Sequence, residues 1–125
     1  MNKNTIFAVL GVSTDKNKYG YKVFKHLLNS QYKVFGINPK ATKILNQKIY
    51  KDLYSIKQKI DWVIFVMPPL IGEKILQDVI NLNIKNVWFQ PGAESEKLIH
   101  ICKDNNINYI SNACIMKDNF TQTNK

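Results

Sequence analysis

Residues Ile6-Phe7-Ala8-Val9-Leu10 form an unbroken apolar run that stops at Gly11, and an amphipathic helical pattern starts at Tyr21. An apolar run of this length reads as a strand. Between strand and helix lies the loop Gly11 to Gly20. Strand, glycine loop and helix is the order that presents free backbone N–H groups to a phosphate at a helix N-terminus. The spacing is not G-x-G-x-x-G, so the loop points to a nucleotide-like ligand without specifying NAD.

The same alternation continues along the chain. A helix is expected from about Tyr21 to Ser30, with Val23, Phe24, Leu27 and Leu28 on one face. Lys33 to Ile37 reads as the second strand, ended by Asn38-Pro39-Lys40. The stretch Ala41 to Lys59 is weaker, with a short edge strand at Lys48-Ile49-Tyr50 and a short helix at Leu53 to Gln58. Asp61 to Val66 reads as a strand buried on both faces, because its apolar residues are continuous rather than alternating, and Met67-Pro68-Pro69 stops it. A helix from Leu70 to Leu82, a strand at Asn86 to Phe89, a helix from Glu94 to Asn105 and a last strand at Asn108 to Ile110 follow. Strand–helix alternation of this kind predicts an α/β fold. The expected architecture is a Rossmann-like, doubly wound parallel sheet of order 3-2-1-4-5-6 in three αβα layers. The 125 residues suit one domain, 1–125, with a polar, frayed tail at 118–125.

Composition narrows the function classes. No apolar run approaches the roughly 20 residues of a membrane helix. The opening Met1-Asn2-Lys3-Asn4-Thr5 leads straight into the first strand, so no signal peptide and a cytoplasmic location are expected. Two cysteines, Cys102 and Cys114, fit neither a disulfide framework nor a common zinc spacing. Cys102 is expected as a buried small hydrophobe in a helix, and Cys114 lies past the last strand, within reach of a ligand's end. The formal charge is +9 and every basic residue is lysine. Without arginine or a dense basic run, nucleic acid is not the expected partner; a small polyanion would still be attracted.

In a doubly wound sheet the ligand sits beyond the carboxyl ends of the strands, where the order reverses. Four strand exits converge there: Gly11-Val12-Ser13-Thr14, Asn38-Pro39-Lys40, Met67-Pro68-Pro69 and Gln90-Pro91-Gly92-Ala93. Gly11 permits a sharp turn and close approach, and Ser13 and Thr14 offer hydroxyls to phosphate oxygens. Lys18 and Tyr19 are placed to fold over the phosphates. Met67, Pro68 and Pro69 form an apolar wall, and Gly92 permits a second close approach. Each has an ordinary alternative: tight turns for Gly11 and Gly92, helix initiation for Pro68-Pro69, plain surface for Lys18 and Tyr19.

The tip of the second strand discriminates among cofactors. An NAD site wants an acidic residue there. Lys40 instead suits a phosphorylated ribose, as in NADP or coenzyme A, the alternative being a solvated lysine. Catalytic groups are sparse. His26 and His100 fall on helices, Ser13 has no histidine partner, and Asp15, Asp61 and Glu94 make no acid pair or metal pattern.

Together these residues resemble the small bacterial and archaeal CoA-binding proteins, relatives of the N-terminal CoA-binding domain of the succinyl-CoA synthetase alpha subunit. The carriers are Gly11-Val12-Ser13, Lys18 to Val23, Val34 to Lys40, Asp61 to Pro69, Val87 to Glu94 and Asn112 to Met116. The resemblance implies coenzyme A or an acyl-CoA as ligand, held in an extended groove over the strand ends. Carried over, Gly11, Val12 and Ser13 meet the phosphate-bearing part and Asn38, Pro39 and Lys40 the adenosine end. Met67, Pro68, Pro69, Gln90, Gly92 and Ala93 line the groove. Ala113 stands where many relatives carry arginine before the cysteine. The synthetase chemistry belongs to other domains, so a binding protein without catalysis is expected. The readings that compete with it are an NADP-binding oxidoreductase-like domain and a protein- or nucleic-acid-interaction module. A homo-oligomer is compatible with the sequence.

Overall fold

In the computed structural model, residues 1–117 are described. The expected tail at 118–125 lies outside them. The strands are β1 (Ile6–Leu10), β2 (Lys33–Ile37), β3 (Lys43–Ile44), β4 (Gln47–Tyr50), β5 (Trp62–Phe65), β6 (Asn86–Phe89) and β7 (Asn108–Ile110). The helices are α1 (Tyr19–Asn29), α2 (Pro69–Asn81) and α3 (Glu96–Asp104). The sheet order is β3-β4-β2-β1-β5-β6-β7. Without β3 this is the order 3-2-1-4-5-6 read from the sequence, and every pairing except β3 with β4 is parallel.

Two corrections concern the weak stretch. The strand at Lys48-Ile49-Tyr50 is not the edge, because β3 pairs with it antiparallel. Leu45 and Asn46 both take left-handed conformations, φ 52° and 60°, which suits the two-residue turn that folds a hairpin. A two-residue strand is too short to leave a periodic trace. The expected helix at Leu53 to Gln58 is a single 3-10 turn, Leu53–Ser55, capped by the Asp52 carboxylate.

The three αβα layers follow from period-two alternation on the central strands. Ala8, Leu10, Val63, Phe65, Val87 and Phe89 join the core shared with Leu76 and Val79 of α2 and Leu98 and Cys102 of α3. Their neighbours Phe7, Val9, Ile64 and Trp88 join the opposite core with Val23, Phe24 and Leu27 of α1. Asp61 ties the leading ends of β1 and β5 together, its carboxylate accepting from the Ile6 N–H at 2.8 Å.

All three helices stop in the same way. Gln31, Asn83 and Asn106 take left-handed φ of 68°, 58° and 57°. The next residues, Tyr32, Ile84 and Ile107, are buried and donate their N–H groups back to Leu27, Val79 and Cys102. This left-handed cap with a trailing apolar anchor closes a helix and drops the chain back toward the sheet.

At the start of α1, backbone packs on backbone. A Cβ at Gly20 would collide with the Gly11 carbonyl, and one at Gly11 (φ +87°) would meet the Val66 carbonyl. Gly20→Ala ordinarily favours a helix by about 0.5–1 kcal/mol. Here it should destabilise the fold by about 1–3 kcal/mol, read as a lower thermal midpoint. An unchanged or raised midpoint would contradict that contact.

Candidate functional site

The loops leaving β1, β2, β5 and β6 gather at one end of the sheet, where β1 and β5 lie side by side and the strand order reverses. A cavity of about 770 Å³ opens there. Its walls are Val66, Met67, Pro68 and Pro69 after β5, Gln90 to Ala93 after β6, Tyr19 and Lys22 of α1, and Cys114, Met116 and Lys117. Most of these side chains are apolar; the charged ones are Lys22 and Lys117. Tyr19 is 63% exposed, and the Lys22 ammonium lies 5.4 Å from its ring centroid, a cation–π contact at the mouth.

Tyr19, Met67, Pro68, Pro69, Gln90, Gly92 and Ala93, assigned to the ligand in the sequence, line this cavity, and so do Pro91 of the same strand exit and Cys114, expected near a ligand's end. Pro68 and Pro69 also start α2, as N-cap and first residue, so the helix-initiation reading of that pair holds while both also face the cavity. Pro39 and Lys40 instead line a second depression of about 330 Å³ with Lys48, Tyr50, Lys51 and Ser55. The Lys48 ammonium sits 4.9 Å from the Tyr50 ring centroid.

Gly11, Val12, Ser13, Thr14 and Lys18, and Asn38 beside them, are brought to the same end of the sheet but line neither space. Val12 is a core residue, 1% exposed. Asn38 holds its carbonyl, donating from Nδ2 at 2.8 Å, and accepts from the Lys40 and Ala41 N–H groups through Oδ1. Ser13 Oγ accepts from the Asp15 N–H, and Asp15 Oδ1 from the Asn17 N–H. Thr14 and Lys18 are exposed. Asn38 and Val12 thus build the loop; what the loop offers a ligand is backbone and the start of α1. Lys18, the N-cap of α1, makes no side-chain cap bond, and no acid stands in the first turn. That leaves the positive helix end without a side-chain acceptor.

Gln90 is the buried polar residue of the cavity, 3% exposed. Its Oε1 accepts from the Ile115 N–H at 2.8 Å, and its Nε2 donates to Cys114 Sγ at 3.3 Å. Trp88 Nε1 donates to the Ala113 carbonyl at 2.9 Å. These bonds fold the segment after β7 back across the strand exits and make Cys114, Met116 and Lys117 part of the wall. Met116 and Lys117 were not read as site residues, nor were Lys22, Lys48 and Lys51. The contact of Gln90 with Ile115 spans 25 positions, and nothing local announces it.

His100 pairs with Asp104 at 3.3 Å on the exposed side of α3. His26 is half-buried on α1, and burial lowers its pKa from the ordinary value. Neither lines the cavity. Among the described residues no group of His, Cys, Asp and Glu is arranged to hold a metal, and no helix is long and apolar enough to cross a membrane.

Residues 5–119 match the CoA binding domain family. This chain belongs to it. An ADP-forming acetate–CoA ligase of Methanocaldococcus jannaschii is 28% identical over 116 residues, 86% of this chain but 16% of the ligase. The alpha subunit of ADP-forming acetate–CoA ligase II of Pyrococcus furiosus is 33% identical over 81 residues, 64% of this chain and 18% of that subunit. The chain therefore spans less than a fifth of these relatives. Among solved structures, a conserved hypothetical protein of Pyrococcus furiosus is 32% identical with a TM-score of 0.85, covering 90% of this chain and 97% of that one. A hypothetical protein of Pyrococcus horikoshii is 26% identical with a TM-score of 0.83, covering 88% and 78%.

The two thiols differ sharply. Cys102 is fully buried, and desolvation pushes its pKa up to about 11. Cys114 is half-buried on the cavity wall. Iodoacetamide should label Cys114 in the folded protein and Cys102 only after unfolding, a pattern that peptide mass spectrometry reads directly. Gln90→Ala leaves the buried Ile115 N–H unpaired. It should cost about 1–3 kcal/mol and speed the labelling of Cys114; equal labelling rates in the two proteins would mean that the segment is held by something else.

Proposed function

We propose that this chain binds coenzyme A or an acyl-CoA across the strand exits, without chemistry of its own. The observation that carries this reading is the pairing of two unlike spaces at one end of the sheet. The larger is apolar and suits a flexible, weakly polar arm. The smaller is lined by Lys40, Lys48 and Lys51 and suits a phosphorylated ribose. Between them stands the uncapped start of α1, which favours a diphosphate. CoA has these parts in this order: pantetheine arm, diphosphate, 3′-phosphorylated adenosine.

Membership of a CoA binding domain family supports the ligand class. The relatives are acetate–CoA ligases by name, but this chain corresponds to a small part of each. Binding alone is the activity we assign. Turnover of acetyl-CoA with ADP and phosphate by the purified chain would overturn that assignment.

Calorimetry tests the ligand. CoA should bind more tightly than dephospho-CoA, and NADPH should bind weakly or not at all. Lys40→Ala should weaken CoA binding by about 1–3 kcal/mol, the range for a hydrogen bond to a charged group, and leave dephospho-CoA nearly unaffected. Equal losses for both ligands would mean that Lys40 does not meet the 3′-phosphate. NADPH binding in place of CoA binding would overturn the reading itself.

A further inference from the structure

The lysines are spread along the sequence, but the net charge is not. Residues 1–60 hold twelve lysines and only two acids, Asp15 and Asp52; residues 61–125 hold six lysines and seven acids. A general bias toward lysine codons would enrich both halves without stripping acids from one.

The fold keeps most of each half together; residues 53–60 are the exception, because Leu53, Ile56 and Ile60 pack in the core with Leu76 and Val79 of α2. β3, β4, β2 and β1 are contiguous in the sheet, and α1 packs on β1 and β2. Residues 61–117 supply β5, β6, β7, α2 and α3 on the other side. The division runs between β1 and β5, where the cavity opens. All twelve lysines of the first half are exposed. Among the described residues, the Lys97–Glu73 salt bridge and the His100–Asp104 contact both lie in the second half. Lys16, Lys22 and Lys25 share a shallow depression on α1, and Lys22 also lines the main cavity. On the other flank stand Lys40, Lys48 and Lys51.

We infer that the 1–60 half is an electrostatic collector, whose lysines outside the cavity draw phosphate-rich ligands to the crevice and set the rate of their capture. Clustered charge of one sign beside a cleft raises the local concentration of a counter-ion and its association rate, by about tenfold to a thousandfold in strong cases. The effect falls with salt because the screening length contracts from about 30 Å at 0.01 M to about 8 Å at 0.15 M. Charges that act at a distance change capture and leave release alone. This inference rests on the CoA reading of the crevice.

Stopped-flow association of CoA, followed from about 10 mM to about 300 mM salt, tests it. The wild-type rate constant should fall by about tenfold across that range, while dissociation changes little. Lys16→Glu/Lys25→Glu, at sites that do not line the main cavity, should slow association at low salt by about threefold or more and converge on the wild type at high salt. Lys74→Glu/Lys85→Glu makes the same charge change in the other half and should leave association near the wild-type value. Equal slowing by both pairs, or CoA capture indifferent to salt, overturns the collector while leaving CoA binding intact. Unchanged CoA capture with salt-sensitive binding of a single-stranded oligonucleotide, lost in the first pair, would assign the surface to nucleic acid instead. No binding of CoA at any salt overturns the reading of the crevice.

Discussion

Much of this molecule depends on the backbone of Gly11 lying directly against two other backbones. Its left-handed turn carries the chain out of β1 beneath the Val66 carbonyl, and its own carbonyl faces Gly20 with no room for a side chain. That contact fixes how far α1 sits from the sheet and aims the first turn of the helix at the strand exits. A few tenths of an ångström of added separation would move Val23, Phe24 and Leu27 away from Phe7 and Val9, with which they form one core. Close-packed interiors do not absorb such shifts freely. The shape of the crevice and the packing of α1 are therefore set by one steric condition.

A second condition acts from the far end of the described chain. The glutamine after β6 is buried, yet both ends of its amide are satisfied by the segment that follows β7. A buried amide without such partners would be costly, which gives the bonds their directing power. Trp88 adds a third anchor through its indole N–H. The segment closes one wall of the main cavity and supplies Cys114, Met116 and Lys117 to it. Cavity and fold are thus coupled: the residues that complete the site also cover part of the sheet.

In the proposed CoA reading, the spaces at the strand ends divide the physical work of recognition. The larger, apolar one gives area without fixed charge, and the lysine-lined one gives charge without depth. A ligand with a weakly polar arm at one end and a phosphorylated sugar at the other satisfies both. Under the collector proposal, the charge asymmetry across the β1–β5 boundary would add a longer-range influence on the same ligand class, because distant lysines act through the field and not through contact.

The sequence carries the order and type of the main elements. Apolar runs such as Ile6–Leu10 and Trp62–Phe65, and the helical spacing of Val23, Phe24 and Leu27, are local signals that burial reinforces. It also determined the four loops that meet at the switch point, because turn residues stand at each strand exit. The β3 hairpin, the 3-10 turn and the start of α3 were less legible. Ser95 caps α3 by accepting from the Leu98 N–H, and Glu94 instead accepts from the Gly92 N–H, a choice between two adjacent polar residues that composition does not make. Three features come from the tertiary contacts alone: Val12 and Asn38 build the loop, Gln90 reaches the segment after β7, and the lysine-bearing strands β1 to β4 lie contiguous on one side of the sheet with α1 packed on them. Each of these depends on contacts between residues far apart in the chain, whose partners are fixed by packing and by the need to pair buried polar groups, and neither leaves a mark on its neighbours in sequence.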